Sequence, residues 1–220
     1  MKGEITIQSA IDELQRMFKL LNKTYFSGEL ERPVITILTD NKGGAYGWIT
    51  IGKVWSSKDE KWYREINLCA EYLNRPVERV ITTLAHEMCH LLNIQRNVQD
   101  CSRGGTYHNK KFKEVAEARG LIVEKHDKYG YCITTPSAQF TELVKKHCRA
   151  GCFKLERIKT YRDGTPKVTT TGSDGKEKTV SRTRQSSRKY TCPSCAVIVR
   201  ATKEVNIICG DCDVALVASP

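Results

Sequence analysis

One segment of this 220-residue chain combines a long helical periodicity with side chains that bind metals. Apolar residues recur every three to four positions across 77–92, which predicts a helix with one face packed into a core. His86 and His90 stand four residues apart in this helix, so their imidazoles project from the same face. The chain must therefore build its core around a helix that also presents a pair of metal-binding side chains.

The segment His86-Glu87-Met88-Cys89-His90 has the form H-E-x-x-H, a pattern with a definite chemistry. Two imidazoles at this spacing can bind one Zn²⁺ at about 2.0–2.1 Å. Glu87 then lies where it can accept the proton of a water that attacks a peptide carbonyl. Burying two histidines and a glutamate without a metal would be costly, which favours a zinc site over a chance match. The helix therefore predicts zinc ligands at His86 and His90 and a general base at Glu87.

A catalytic zinc site usually keeps three protein ligands and one open position. His108 is the leading third ligand, because it follows a Gly104-Gly105 turn at the predicted start of the next helix. The connection is long enough to fold that helix back over the H-E-x-x-H helix. The other residues that could reach the metal are His126, His147, Glu114, Cys89 and Cys101.

Four of the ten cysteines form a second pattern near the C-terminus. Two Cys-x-x-Cys pairs are separated by 13 residues, which is close to zinc-ribbon spacing. The runs 197–200 and 205–208 predict a hairpin that would bring the pairs together. Four thiolates close the coordination sphere, so this Zn²⁺ is expected to be structural. The predicted ligands are Cys192, Cys195, Cys209 and Cys212.

Three further metal-binding residues have no clear assignment from their spacing. His147, Cys148 and Cys152 place three potential ligands within six residues and could join another site. Ordinary reduced cysteines are the simpler interpretation.

The positive charge of the chain is concentrated in one segment. The formal net charge is +11, and residues 145–190 hold 14 Lys or Arg against 4 Asp or Glu, a net of +10. This composition fits a solvated linker, and it also fits an arm that neutralises nucleic-acid phosphates. The aromatic residues Phe153, Tyr161 and Tyr190 could stack on unpaired bases. The predicted nucleic-acid contacts are Lys145, Lys146, Arg149, Arg182, Arg184, Arg188, Lys189 and Tyr190.

Simple periodicity predicts the other elements of the first half of the chain. Helices are expected over 9–21 and 108–119, with Asn74 as N-cap of the H-E-x-x-H helix and Pro76 in its first turn. An apolar run predicts the strand 34–38, an alternating run predicts 48–51, and 65–69 is a further strand candidate. With a Gly-rich hairpin over 43–47, they are expected to form a small antiparallel sheet. The fold class is therefore α+β.

Neither a membrane span nor a signal peptide is expected. No run approaches the roughly 18–20 apolar residues of a span, and the first residues lack an apolar signal region. The expected location is the reducing cytoplasm, with association with a nucleoid or nucleus left open, so the cysteines favour metal binding over disulfides.

Several of these motifs together resemble the SprT-like domain of Spartan-type zinc metalloproteases. The resemblance rests on Tyr25-Phe26-x-Gly28-x-Leu30, the H-E-x-x-H helix and Tyr107-His108-Asn109-Lys110-Lys111-Phe112, within about residues 8–125. It implies a zincin-like fold with ligands His86, His90 and His108, and cleavage of proteins crosslinked to DNA. The family often has Gly after the third ligand, where this chain has Asn109.

The resemblance, the charge distribution and the Cys-x-x-Cys spacing together predict three parts: a metalloprotease domain (1–125), a basic, partly flexible connecting segment (126–189) and a zinc ribbon (190–220). The expected function is zinc-dependent hydrolysis of DNA-associated or DNA-crosslinked proteins, with single-stranded or distorted DNA as partner and one catalytic and one structural Zn²⁺. Two alternatives stay open: a non-enzymatic nucleic-acid-binding zinc protein, and a metallohydrolase with a DNA-independent substrate.

Overall fold

The computed structural model describes residues 6–39, 44–158, 169–171, 177–179 and 188–219. The chain forms two compact units, Met1–Ile158 and Lys159–Pro220, which are described separately. Within the described residues, no helix is both long and apolar enough to cross a membrane.

The first unit contains four α-helices and nine strands among its described residues. The helices are α1 (Ile7–Tyr25), α2 (Val77–Gln95), α3 (Lys110–Glu117) and α4 (Ala138–His147). The strands are β1 (Val34–Leu38), β2 (Gly47–Ile49), β3 (Trp55–Ser56), β4 (Trp62–Tyr63), β5 (Glu65–Cys69), β6 (Cys101–Ser102), β7 (Tyr107–His108), β8 (Leu121–His126) and β9 (Gly130–Pro136). This mixture of helices and small sheets confirms the α+β class.

Helix α2 lies at the centre of the unit, as its periodicity predicted. It packs against α1, α3, α4, β2, β5 and β9, and residues such as Leu84 and Met88 are fully buried. Each such side chain contributes about 1.5–3 kcal/mol when it leaves water. The N-cap prediction was wrong: the helix begins at Val77 after Pro76, and Asn74 makes no cap.

The sheet beside α2 differs from the prediction in one respect. Its strand order is β1–β5–β2, and the three predicted strands are present. However, β1 pairs with β5 in parallel and only β2 pairs antiparallel, so the expected antiparallel sheet is a mixed sheet. The reason is the connection, because the chain runs along the edge strand β2 and through the β3–β4 hairpin before β5 enters between β1 and β2.

The first unit extends past the domain boundary predicted after residue 125. That boundary would divide β8 from β9, which pair antiparallel in a four-stranded sheet of order β6–β7–β9–β8. Helix α4 follows and buries Phe140 and Val144 in the same core. Residues 126–158 therefore belong to this compact unit rather than to a connecting segment.

The second unit contains a small ribbon. Its described strands are β10 (Thr169–Thr171), β11 (Glu177–Thr179), β12 (Arg188–Thr191), β13 (Ile198–Ala201), β14 (Ile208–Cys209), β15 (Val214–Ala215) and β16 (Val217–Ser219). Strand β13 pairs with β12, and β14 pairs with β15, so the predicted hairpin between 197–200 and 205–208 does not form. Each Cys-x-x-Cys turn is instead closed by its own flanking strands.

Candidate metal centre

Three histidines from two elements converge at the surface of α2. His86 and His90 lie one turn apart on the helix, and His108 reaches them from β7 rather than from the start of α3. The Nε2 atoms are 3.1 Å (His86–His108), 3.2 Å (His86–His90) and 3.1 Å (His90–His108) apart. These three residues form one of the groups whose ligand atoms all lie within 4.8 Å of one another.

The geometry of this triangle fits one zinc ion. A tetrahedral ion at about 2.0–2.1 Å from each nitrogen places its ligands about 3.3 Å apart. Hydrogen bonds alone cannot satisfy the triangle, because each Nε2 is either a donor or an acceptor. At least one pair must then meet lone pair to lone pair or N–H to N–H. A cation bound by three lone pairs removes this conflict, so the donor set fits zinc.

The environment keeps at least two of these rings neutral. Burial lowers the pKa of His86 well below its usual value, and the neighbouring His90 and His108 lower it further. Burial and His90 likewise lower the pKa of His108 to about 4. Both imidazoles are therefore unprotonated at pH 7, which is the form that binds metals.

The ring nitrogens that face away from the triangle have different partners. His90 Nδ1 lies 2.7 Å from Asp100 Oδ2, and His86 Nδ1 lies 3.1 Å from the Thr134 hydroxyl. His108 Nδ1 is buried without a hydrogen-bond partner among the described residues. Sequence reasoning missed Asp100 and Thr134, because neither has a spacing relation to the histidines and both approach only through the fold.

The ring of Phe112 packs against all three imidazoles. Its ring centroid lies 4.5 Å from those of His86 and His90 and 4.8 Å from that of His108, and its side chain is fully buried. Asn109 directs the chain from the ligand into α3, since its side chain accepts hydrogen bonds from the Lys111 and Phe112 amides. Asn in place of the family's Gly thus serves as the N-cap of α3.

The side chain of Glu87 projects from α2 towards the edge strand β2. A Cβ atom added at Gly47 would come within 3.4 Å of Glu87 Oε1, 2.9 Å of Thr83 Cγ2 and 2.8 Å of the Asn67 carbonyl oxygen. The contacts with the Asn67 carbonyl oxygen and Thr83 Cγ2 are too short for a side chain, so only glycine allows β2 to pack this closely against β5 and α2 beside the carboxylate. Gly47, expected only as part of a hairpin, therefore shapes the site.

The alternative ligands lie elsewhere. His126 ends β8 and its Nδ1 accepts a hydrogen bond from the Lys128 amide, while Glu114 and His147 are exposed on α3 and α4. Cys89 is buried in the core. Cys101 is within reach of His90 and Asp100 but is not part of the triangle.

The four ribbon cysteines also come together. Their sulfur atoms form a second group within 4.8 Å of one another, and Cys195 Sγ lies 3.6 Å from Cys209 Sγ. Zinc at about 2.3 Å from each sulfur requires S–S distances of about 3.8 Å. The backbone amide of Cys195 is the main cause that lowers the pKa of Cys192 to about 7, which favours the thiolate, whereas a hydrogen bond with the Cys195 thiol and burial raise the pKa of Cys212 to about 12. This donor set fits a closed zinc site.

The predicted nucleic-acid contacts in the first unit fall into two kinds. Lys145 and Lys146 are exposed in the last turn of α4. Arg149 instead donates from Nε to the buried Glu13 at 2.6 Å, so it pins the chain to α1. Phe153 is buried in the core and is not available for stacking, which corrects that expectation.

The second unit changes one more of these predictions. Arg188 is exposed and Lys189 half-buried on β12, but Tyr190 is only 4 % exposed in the ribbon core. Its hydroxyl accepts a hydrogen bond from the Val205 amide at 3.2 Å. Stacking of Tyr190 on bases is therefore wrong for this fold. The predicted residues Tyr161, Arg182 and Arg184 lie outside the described residues.

Cys148 and Cys152 pack against the core near Glu13 and Arg16. Burial, aided by Glu13, raises the pKa of Cys148 to about 12, so its thiol stays protonated at pH 7. In the part of the chain that the structure describes, His147, Cys148 and Cys152 belong to no group with metal-ligand geometry. This arrangement agrees with ordinary reduced cysteines.

Comparison with known proteins gives one match. No curated protein and no solved structure matches the chain. The SprT-like family model matches residues 14–135, a span that contains the histidine triangle, Glu87, Phe112 and most of the packed core. That span is more than half of the sequence, and it agrees with the resemblance carried by the motifs. The chain therefore belongs to the SprT-like family.

Proposed function

We propose that this protein is a zinc-dependent endopeptidase. The observation that carries the proposal is the convergence of His86, His90 and His108 at zinc-binding distances, with Glu87 adjacent on the same helix. Membership of the SprT-like family supports it, since that family suggests a metalloprotease-like function.

The residues around the site have distinct roles in this reaction. When bound, zinc supplies the Lewis acidity that polarises a peptide carbonyl and activates a water for attack. Glu87 accepts the proton of the attacking water and passes it to the amide nitrogen of the departing chain. Strand β2 is the sheet edge that runs beside Glu87, and an edge strand can pair with an extended peptide.

The proposed substrates are proteins bound or crosslinked to DNA. The net charge of +10 over residues 145–190 supports attraction to phosphates, and Lys145 and Lys146 are exposed there. A protease with loose sequence preference needs recruitment, and DNA binding would confine cleavage to proteins on DNA. Single-stranded or distorted DNA is the proposed activator.

The matched pair for testing this function is wild type and Glu87→Gln. Both should retain the same zinc content, because Glu87 is not a ligand, and only wild type should cleave a DNA-binding protein when single-stranded DNA is added. Cleavage is followed by gel electrophoresis, with and without the DNA. Zinc-loaded wild type that cleaves neither itself nor such substrates with any DNA would refute the proposal.

A DNA-independent metallohydrolase is the second candidate. It is favoured by the burial of Tyr190 in the ribbon core, which removes one of the predicted nucleic-acid contacts. Charge reversal at Lys145 and Lys146 separates the two functions. Activity that needs no DNA and survives the double substitution supports the second, whereas loss of DNA stimulation supports the first. If Glu87→Gln leaves every activity unchanged, the protein is a non-enzymatic binding protein.

A further inference from the structure

We propose that Asp100 is the positioning residue of the zinc site: its carboxylate orients His90, and its backbone fixes the segment that carries His108. Asp100 is buried in the connection between α2 and β6, ten residues after His90. The inference rests on the zinc-binding part of the proposed function and not on the substrate.

The carboxylate fixes which nitrogen of His90 faces the metal. Asp100 Oδ2 lies 2.7 Å from His90 Nδ1, and it also accepts a hydrogen bond from Asn93 Nδ2 at 2.9 Å. A carboxylate can only accept, so the imidazole proton must sit on Nδ1. The lone pair of Nε2 is then directed into the histidine triangle. Asp100 thus selects the ligating tautomer and makes Nε2 a better donor.

The backbone around Asp100 reaches the other ligand segment. Its carbonyl accepts a hydrogen bond from the Asn109 amide at 2.9 Å, and Asn109 Nδ2 donates to the Gln99 carbonyl at 2.9 Å. Asn109 follows His108 directly, and His108 pairs with Cys101 across β6 and β7. One residue therefore connects a ligand on the helix to a ligand on the strand.

The three ligands are not supported equally. Asp100 makes a charge-assisted contact of 2.7 Å with His90, whereas the neutral Thr134 hydroxyl lies 3.1 Å from His86. Charge-assisted hydrogen bonds are shorter and about twice as strong as neutral ones. Loss of the Asp100 charge should therefore weaken zinc binding more than loss of the Thr134 hydroxyl.

The same residues do not form a second metal site. His90, Asp100 and Cys101 do place ligand atoms within 4.8 Å of one another. However, Asp100 Oδ2 already faces His90 Nδ1 and Asn93 Nδ2, which leaves that oxygen directed at two donors rather than at a cation. Asp100 therefore contacts His90 at Nδ1, the ring nitrogen that faces away from the histidine triangle.

The test compares Asp100→Asn with Thr134→Val in the full chain. Asn keeps the size and one acceptor of Asp but loses the charge, and Val likewise keeps the shape of Thr. Zinc affinity of the histidine site is measured by competition with graded chelators, with the ribbon site as an internal reference in every variant. We expect Asp100→Asn to weaken zinc binding about 10–100-fold and Thr134→Val by less than about threefold. Equal zinc affinity in Asp100→Asn and wild type would overturn the inference.

A second measurement needs no variant and decides the question even if Asp100→Asn fails to fold. Nitrogen-15 and proton NMR of the zinc-loaded wild type should show the His90 Nδ1 proton far downfield of the Nδ1 protons of His86 and His108, as a short hydrogen bond to a carboxylate requires. A His90 Nδ1 proton at the same shift as those of the other two histidines, or a metal-bound Nδ1, would overturn the inference. Zinc binding that depends on Asp100 in a protein without peptidase activity would refute the proposed function alone. Absence of zinc from the wild-type histidine site would refute both.

Discussion

Glu13 offers a direct test of how the end of the first unit is attached to its core. Its side chain is fully buried on α1, yet its two oxygens accept hydrogen bonds from Arg16 at 3.0 and 2.5 Å and from Arg149 at 2.8 and 2.6 Å. Arg149 follows α4, so this carboxylate joins the first helix to the chain that leaves the last one. Glu13→Gln removes the charge while retaining the size.

The structure sets the size of the expected effect. Burial raises the pKa of Glu13, but hydrogen bonds from Arg16 and Arg149 outweigh it and lower the pKa from 4.5 to about 2. That difference corresponds to at most about 3 kcal/mol of stability. The side chains of Arg16 and Arg149 are 39 % and 63 % exposed, so solvent screening reduces the expected loss to about 1.5–2 kcal/mol.

The contribution of Glu13 has a defined pH dependence. The pKa is lower in the folded state, so the stabilisation is complete above about pH 4.5 and is lost as the pH falls towards 2. We expect a stability difference between wild type and Glu13→Gln at pH 7 that shrinks at pH 3. Zinc release in acid affects both proteins equally and cancels in this difference.

Urea unfolding followed by tryptophan fluorescence measures the first unit alone, because Trp48, Trp55 and Trp62 are the only tryptophans of the chain. Asp12→Asn is the matched control, since Asp12 is an exposed neighbour on the same helix and should change stability by less than about 0.5 kcal/mol. A loss below about 0.5 kcal/mol for Glu13→Gln at pH 7, or a difference that is the same at pH 7 and pH 3, would refute this reasoning.

Three further perturbations address the two proposed metal sites. Phe112→Ala should lower the stability of the first unit by about 3–5 kcal/mol and weaken zinc binding, because it removes the ring that packs against three imidazoles; urea unfolding and chelator competition measure both. Cys192→Ser should lose the ribbon zinc and keep the histidine zinc, so elemental analysis should fall from two zinc ions per chain to one. Gly47→Ala should abolish cleavage without loss of zinc. The new methyl group would lie 2.8 Å from the Asn67 carbonyl oxygen and would displace β2 from Glu87. Unchanged cleavage would contradict this role of Gly47.

Short-range patterns in the sequence were enough for the parts of the molecule that depend on local geometry. The i, i+4 spacing of His86 and His90 places both rings on one helix face wherever that helix packs. Two Cys-x-x-Cys turns likewise present paired thiols without help from distant residues. The apolar run of β1 and the mixed polar and apolar segment of β5 identified these strands to the residue, because short segments of this kind between turn residues are typical of strands.

Other features depend on contacts between residues far apart in sequence, and only the tertiary structure decided them. The direction of β1 against β5 follows from the path through β2 and the hairpin, which no local pattern encodes. Helix α4 is ten residues long and packs Phe140, Leu143 and Val144 against the core, so its apolar pattern spans little more than one turn and is too short to separate a helix from a loop.

The residues of the candidate site also divide into those predicted from local sequence and those that depend on long-range contacts. The sequence alone identified His86, His90 and Glu87 as candidates, because their chemistry is carried by residue type and spacing within one helix. His108 was predicted from its place after the Gly104-Gly105 turn, but the sequence assigned it to a helix start and the structure places it on β7. Asp100 and Gly47 acquire their roles only when a loop and a strand are folded against that helix. The identity of the proposed ligands on α2 is a local property of the chain, whereas their orientation and the access to Glu87 depend on packing between elements.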